Sequence, residues 1–182
     1  MKKFLAPLAL GFALLSGAAA QAQTNLSLVA DGNFAQNVAG GGANSGDRAL
    51  GIGGGLLLES RSSPNFGVEV GGLYHARKFS AGNYTTNAIQ VPLLLRFYLS
   101  NYISLGLGGF FEYGVGDAYN GSDVNKTNYG AMGSLGIYIP VGATTKFVID
   151  GRYGYGLKDI SDGPFDIKTR DIQILAGLRF GF

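Results

Sequence analysis

Alternation of apolar and polar side chains is the feature that most constrains this chain. In the closing segment "DIQILAGLRFGF", Ile172, Leu178 and Phe180 recur with a period of two, and Asp171 and Arg179 occupy the positions between. Successive side chains of a β-strand point to opposite faces, so this period collects the charges of the segment on one face. The pattern therefore predicts an amphipathic strand and not a helix.

Eight segments of this kind follow residue 22. Their predicted bounds are 25–35, 49–61, 66–78, 87–99, 103–115, 127–139, 145–157 and 171–182. The connections after the second, fourth and sixth segments are short, whereas the others are generally longer and polar. This order predicts a single all-β domain over residues 23–182, an eight-stranded antiparallel up-and-down barrel.

Charged side chains gather on one face of these segments, and only Lys78 falls on the apolar face. The predicted charged set is Asp31, Glu59, Arg61, Glu69, Arg77, Arg96, Glu112, Lys146, Asp150, Arg152, Asp171 and Arg179. Burying so many charges in the core of a water-soluble sandwich is costly unless all are paired. The polar face is therefore predicted to line a lumen and the apolar face to contact the lipid of an outer membrane, which tilted strands of this length span.

Aromatic residues on the apolar face support this orientation, because they are predicted to form two belts at the membrane interfaces. The belt near the short connections comprises Phe66, Phe97, Phe147, Phe180 and Phe182. The belt near the long connections comprises Phe34, Tyr74, Tyr113, Tyr129, Tyr153 and Tyr155.

The N-terminal 22 residues have the composition of a secretory signal peptide. Lys2 and Lys3 precede an apolar stretch, and small residues follow it, with cleavage predicted after Ala22 or Ala20. An uncleaved anchor is the alternative, and both predict export from the cytoplasm. Without the two lysines, the 14 basic residues fall to 12 and equal the 12 acidic residues, so no nucleic-acid-binding surface is predicted.

The chain resembles the small outer-membrane β-barrel families of the OmpA and OmpX type. The segment "AIQVPLLLRFYL", residues 88–99, is similar to a Pro-containing strand of PorT-like outer-membrane proteins. The terminal "LRFGF" resembles the signal that the barrel-assembly machinery reads, which would assign that role to Ala176, Leu178, Phe180 and Phe182. The resemblance implies a location in the Gram-negative cell envelope, with outer-membrane lipid, the assembly machinery and envelope or secretion proteins as partners.

Two ion pairs are predicted inside the lumen. Counting outward from the loop centres places Glu69 opposite or diagonal to Arg96, and Asp150 near Arg179. The glycines on the inward face have two possible roles. They allow the tight curvature of a small barrel, which is the interpretation we favour, or they leave water-filled pockets. These glycines are Gly51, Gly53, Gly55, Gly106, Gly108, Gly154 and Gly156.

Motifs for catalysis are weak. His75 shares the lumen face with Glu69, whereas a lipid-modifying triad would need a lipid-accessible histidine and serine. Asp117, Asn120 and Asp123 lack the spacing of a calcium-binding EF-hand and fit polar turn chemistry. We therefore predict a non-enzymatic structural or interaction protein without catalytic, cofactor-binding or metal-binding residues. The alternatives are a porin-like, low-conductance pore and, as a third class, a lipid-modifying enzyme centred on His75.

Overall fold

Eight β-strands make up the regular structure of the computed structural model, which describes residues 23–39, 50–79, 84–115, 126–158 and 167–182. The strands are β1 (Gln23–Ala39), β2 (Leu50–Ser63), β3 (Phe66–Phe79), β4 (Tyr84–Tyr98), β5 (Ile103–Val115), β6 (Thr127–Pro140), β7 (Thr145–Gly156) and β8 (Ile167–Gly181). All eight predicted strands are present. The largest boundary differences are at β1 and β8, where the backbone ladder continues to the pair Ala39–Ile167, beyond the alternating pattern.

The strands form a closed antiparallel barrel in sequence order. Each strand pairs with its neighbours along the chain, and β1 pairs with β8 to close the sheet, with Leu28 opposite Leu178. Closure leaves no unpaired sheet edge, which is required of a β-structure surrounded by lipid. The predicted fold class is confirmed.

The barrel has two different ends. Short turns connect β2 to β3, β4 to β5 and β6 to β7 at one end, where Gln23 and Phe182 also lie; we call this the turn end. In the turn after β4, the Ser100 hydroxyl accepts hydrogen bonds from the backbone N–H groups of Tyr102 and Ile103, both at 3.2 Å. The opposite end, which we call the loop end, carries the other four connections.

The predicted signal peptide, residues 1–22, lies outside the described residues. The residues considered for calcium in the connection after β5, Asp117, Asn120 and Asp123, lie outside them as well.

The outer surface is apolar and the interior is polar. Leu107 is 65% exposed on the outside, whereas Arg96 is 1% exposed inside. This inversion relative to a water-soluble barrel is the arrangement of a barrel that contacts lipid. Among the described residues, there is no helix long and apolar enough to cross a membrane.

Side chains fill the interior between the charged groups. One buried apolar cluster contains Leu94, Phe110 and Met132, and a second includes Leu73 and Leu175. The inward glycines are part of the strands that form the wall, where several of them approach a neighbouring strand closely. A Cβ atom at Gly108, for example, would overlap the carbonyl oxygen of Leu93 on the adjacent strand. This close approach supports the prediction that the glycines serve the tight curvature of a small barrel.

Candidate functional site: the charged lumen

Ten of the twelve predicted lumen charges are buried in the interior. They are Asp31, Glu59, Glu69, Arg77, Arg96, Glu112, Asp150, Arg152, Asp171 and Arg179. The other two, Arg61 and Lys146, are partly exposed and lie at the turn end. The buried charges form three clusters along the barrel, each of which joins strands across the lumen.

The turn-end cluster is built on Glu59 of β2. The Arg179 guanidinium of β8 donates two hydrogen bonds to the Glu59 carboxylate, with Nη–Oε distances of 2.5 and 3.1 Å. The Tyr98 hydroxyl of β4 donates to the same carboxylate at 2.5 Å and accepts from Arg179 at 3.0 Å. Arginine and carboxylate pair through two bonds here, so the cluster is neutral and holds three strands together.

A small cavity of about 60 Å³ opens beside this cluster at the turn end, and Arg61 and Lys146 line it. The Arg61 guanidinium carbon lies 3.7 Å from the centre of the Tyr98 ring, a cation–π contact. The Lys146 ammonium donates to the backbone oxygen of Asn101 at 3.3 Å. These two side chains therefore make the mouth of the lumen basic at this end.

The central cluster consists of two arginines and two carboxylates that all bridge one another. Arg152 Nη2 lies 2.8 Å from Glu69 Oε1 and 2.7 Å from Asp150 Oδ2. Arg96 Nη2 lies 2.8 Å from Glu69 Oε2 and also pairs with Asp150, while its Nη1 donates to Ser134 Oγ at 2.9 Å. The cluster is neutral, and it connects β3 and β4 to β7 across the whole lumen.

The loop-end cluster contains three carboxylates. Arg77 pairs with Glu112 of β5, and its Nη2 lies 2.6 Å from Asp171 Oδ2 of β8. Gln173 Nε2 donates to Asp171 Oδ2 at 2.9 Å and to Gln90 Oε1 at 3.0 Å. One guanidinium thus serves two carboxylates.

The third carboxylate of the loop-end cluster, Asp31, pairs with His75. Nδ1 of His75 lies 2.6 Å from Asp31 Oδ2, to which Asn33 Nδ2 also donates at 3.1 Å. His75 is fully buried and faces the lumen. A lipid-modifying triad would require a histidine that lipid can reach, and His75 is not accessible to lipid.

Of the two predicted ion pairs, the structure contains one and not the other. Glu69 and Arg96 are paired, because Arg96 lies opposite Gly67 and thus diagonal to Glu69 on the same face. The prediction for Asp150 and Arg179 was wrong: Asp150 pairs with Arg96 and Arg152, whereas Arg179 pairs with Glu59. Arg179 lies opposite Lys146, four positions along β7 from Asp150, because the β7–β8 register is shifted from the assumed loop centre.

Uncharged residues that complete the lumen were not assigned by the sequence. Asn33, Gln90, Tyr98 and Gln173 hydrogen-bond to the charged residues, and Tyr138 bonds to Ser104 at 3.0 Å. Alternation alone placed them on the inward face, but it gave no signal of which charge each one binds.

This arrangement connects strands across the lumen through paired charges. The carboxylates of the turn-end and central clusters are held by arginine, and His75 by Asp31. Across the described strands and turns, no group of three or more histidine, cysteine, aspartate or glutamate side chains is arranged to hold a metal ion. Of the predicted assembly residues, Ala176, Leu178 and Phe180 lie on the outer face of β8, and Phe182 directly follows the strand. Leu178 and Phe182 are exposed, and Ala176 and Phe180 are partly exposed.

Comparisons with known proteins agree with this architecture. Three solved structures share the fold: OprG from Pseudomonas aeruginosa, Ail from Yersinia pestis and Neisserial surface protein A (NspA), at 14%, 18% and 16% identity. Their TM-scores are 0.53, 0.52 and 0.55. The matches cover 88%, 86% and 87% of this chain, and 96%, 98% and 97% of the respective structures.

No curated protein matches the sequence. The family model of the outer membrane protein beta-barrel domain matches residues 8–180, nearly the whole chain. The broad resemblance to small outer-membrane barrels is confirmed, and the PorT-like resemblance stays a prediction. The chain is therefore an outer-membrane protein, and it belongs to the outer membrane protein beta-barrel domain family.

Proposed function

We propose that this protein is a non-enzymatic outer-membrane barrel that works through contacts with partners at its two ends and not through passage along its lumen. The observation that carries the proposal is the central cluster. Glu69, Arg96, Asp150 and Arg152 are each at least 96% buried, and they join opposite walls of the barrel. Separating them to open a path would leave buried charges unpaired, which is costly.

Apolar packing supports the same proposal. Leu94, Phe110 and Met132 are buried together inside the barrel, and Leu73 and Leu175 are also buried inside. A hydrated ion crossing the lumen would meet both these apolar side chains and the paired charges. Partners are then expected at the exposed turns and loops, which a rigid scaffold presents.

The competing function, a low-conductance pore, is tested by planar-bilayer recording. We expect the folded wild-type protein to give no discrete current steps. The double variant Arg96→Ser, Arg152→Ser removes both guanidinium groups of the central cluster, so it is expected to give steps and to show that inserted protein is being recorded. Regular steps from wild type, at one conductance and in proportion to inserted protein, would instead establish the pore.

The interaction role is tested by photo-crosslinking in cells. A photoreactive residue replaces Asn65 or Asn101 in the exposed turns, or Asn120 in the connection after β5. Leu107, exposed on the lipid-facing surface, is the matched control. We expect discrete protein adducts from at least one of the first three positions and none from Leu107. Normal barrel levels without adducts at any of the three positions would contradict the proposal.

A further inference from the structure

The lumen carries an excess of positive charge at the turn end. Arg179 is paired there with Glu59, whereas neither Arg61 nor Lys146 forms an ion pair within the described chain. The terminal carboxylate of Phe182 makes no ion pair with them either. Three basic side chains and one acidic side chain give this group a formal charge of +2. Like charges that lie close together repel one another, and a bound anion offsets that repulsion.

The three basic side chains surround one space. The guanidinium carbons of Arg61 and Arg179 lie 3.7 and 5.8 Å from the same point, the centre of the Tyr98 ring. The charges of both arginines repel that of Lys146, whose ammonium donates to the backbone oxygen of Asn101 at 3.3 Å. The three side chains come from β2, β8 and β7, so an anion between them would contact three strands.

The space between these groups is the turn-end cavity of about 60 Å³, which Arg61, Lys146 and Arg179 all line. A cavity needs about 10–15 Å³ to hold one water, so this one has room for about five water-sized groups. A phosphate or sulfate ion has this number of non-hydrogen atoms. Pockets for drug-sized ligands are far larger, at about 300–1,000 Å³. The dimensions therefore favour a small ion.

Several hydrogen-bond donors of the cavity wall are available to an anion. Arg61 has five N–H groups and uses one of them, toward the Pro64 carbonyl oxygen. Lys146 likewise uses one of its three N–H groups. Gln23 adds an amide, since its Nε2 atom would lie 3.3 Å from a Cβ built on Gly181, which also lines the cavity. The wall thus offers donors from a guanidinium, an ammonium and an amide.

From these charges, donors and dimensions, we propose that the turn-end cavity binds one small oxyanion of the phosphate class between Arg61 and Lys146. Arginine binds phosphate through two parallel hydrogen bonds, and lysine binds it as a point charge. The short turns of outer-membrane barrels face the periplasm, so the ion enters from that side. A free phosphate ion and the phosphate group of a lipid headgroup present the same chemistry to the site.

The test is phosphate binding to the full-length barrel, refolded in a maltoside detergent without phospholipid and measured by isothermal titration in Tris–chloride buffer. Parallel titrations use sulfate, acetate and chloride at matched ionic strength. We expect one phosphate per barrel, similar binding of sulfate, and an affinity for acetate that is lower by about tenfold or more, because acetate offers less charge and fewer oxygens. Phosphate heats no larger than those of chloride overturn the proposal. Acetate binding as tight as that of phosphate also overturns it, and would assign the site to a carboxylate.

A lipid sample distinguishes the two sources of phosphate. The titration is repeated with the barrel in nanodiscs of phosphatidylcholine, a lipid that carries phosphate groups but no net charge. Weaker phosphate binding in nanodiscs than in detergent would identify the headgroup as the occupant. Equal binding in the two samples would identify the free ion.

Variants locate the site. Arg61→Gln and Lys146→Gln each remove one charge, so we expect phosphate affinity to fall by about tenfold or more, as the loss of a hydrogen bond from a charged donor does. Gly181→Ala keeps every charge and adds a methyl group close to Gln23 Nε2, so a loss of affinity there reports the volume of the cavity. Lys158→Gln is the matched control, because this lysine follows β7 at the loop end.

Heat-modifiable gel mobility identifies folded samples. Arg61 and Lys146 are partly exposed, so their variants are expected to fold. Unchanged phosphate affinity in both charge variants, or an equal loss in Lys158→Gln, would place the anion elsewhere and contradict the proposal.

Discussion

Arg96 is the residue on which the central cluster depends most. It contacts Glu69, Asp150 and Ser134, which lie on three other strands. Arg96→Met would leave two carboxylates sharing Arg152 alone. We expect the free energy of unfolding to fall by about 3–5 kcal/mol, the range for breaking a buried ion pair from one side. Urea unfolding of the barrel in lipid vesicles measures the change. Because the protein has no tryptophan, circular dichroism or gel mobility is used to follow unfolding.

Two comparisons identify the cause of that loss. Adding Glu69→Gln to Arg96→Met restores neutrality to the cluster, so the double variant should be more stable than the sum of the two single losses predicts. Arg61→Met removes a partly exposed arginine whose described contacts are the Tyr98 ring and the Pro64 carbonyl oxygen, and should cost about 1 kcal/mol or less. If Arg96→Met and Arg61→Met lowered the free energy of unfolding equally, burial of the ion pairs would contribute nothing to stability.

Gly108 tests whether close approach between the backbones of β4 and β5 requires a glycine in the wall of the barrel. A methyl group there would overlap the carbonyl oxygen of Leu93, which cannot move without disturbing the β4–β5 ladder. We expect Gly108→Ala to lower the free energy of unfolding by about 1–3 kcal/mol, as overpacking does. Gly151→Ala is the control, since a Cβ there meets nothing within 4 Å, and it should be neutral or slightly stabilising. Similar losses of unfolding free energy in both variants would show that the contact with Leu93 is not the cause.

At the scale of the strand, alternation predicted which face each residue occupies, because the period of two follows from backbone geometry alone. It therefore placed Arg96, Asp150 and Arg179 in the lumen correctly. Pairing across the lumen depends on register and on barrel closure, which a single strand does not encode. A register shift was harmless for Glu69 and Arg96, which stayed diagonal, but it moved Arg179 out of reach of Asp150.

The same limit explains why the loop-end cluster was not recognised in advance. Asp31 and His75 are 44 residues apart in sequence, and Arg77 and Asp171 are 94 apart. Their contacts arise only when eight strands close into a ring. The neutral partner Gln173 has no distinctive sequence pattern, so its role became visible only in its hydrogen bonds.

The residue that directly follows β8, Phe182, carries a prediction of its own, because it lies outside the barrel interior. Phe182 is 78% exposed, and its backbone N–H donates to the Thr24 carbonyl oxygen at 2.9 Å. We expect deletion of Phe182 to lower the amount of folded protein in the outer membrane several-fold. The unfolding free energy of refolded protein should change by about 1 kcal/mol or less, the value of one net hydrogen bond. Quantitative immunoblotting of membrane fractions and urea unfolding measure the two effects.

Phe182→Tyr keeps an aromatic terminus and is the matched control, expected to assemble normally. Wild-type levels after deletion would contradict the role of the terminal residues as an assembly signal. A large loss of unfolding free energy would instead assign the defect to stability.

At the scale of the whole molecule, stability and partner contacts are expected to reside in different parts of the chain. The three charge clusters and the apolar interior are built from residues of the described strands. The proposed partner contacts are made by the turns and by the connections at the loop end. Changes to one set should therefore leave the other largely unaffected.

Replacing residues 116–125 by a short Asn-Gly turn tests this separation. The β5–β6 ladder reaches Tyr113 and Thr127, so a tight hairpin can follow it without a change of register. We expect heat-modifiable mobility to persist and the free energy of unfolding to change by about 1 kcal/mol or less, since shortening a loop changes closure entropy only slightly. Photo-crosslinked adducts from Asn120 in the full-length protein would show that this connection contacts a partner. In that case, the partner should no longer co-purify with the shortened variant. A shortened barrel that fails to fold would show that the connection contributes to the scaffold, because the strands and all three charge clusters are retained in the variant.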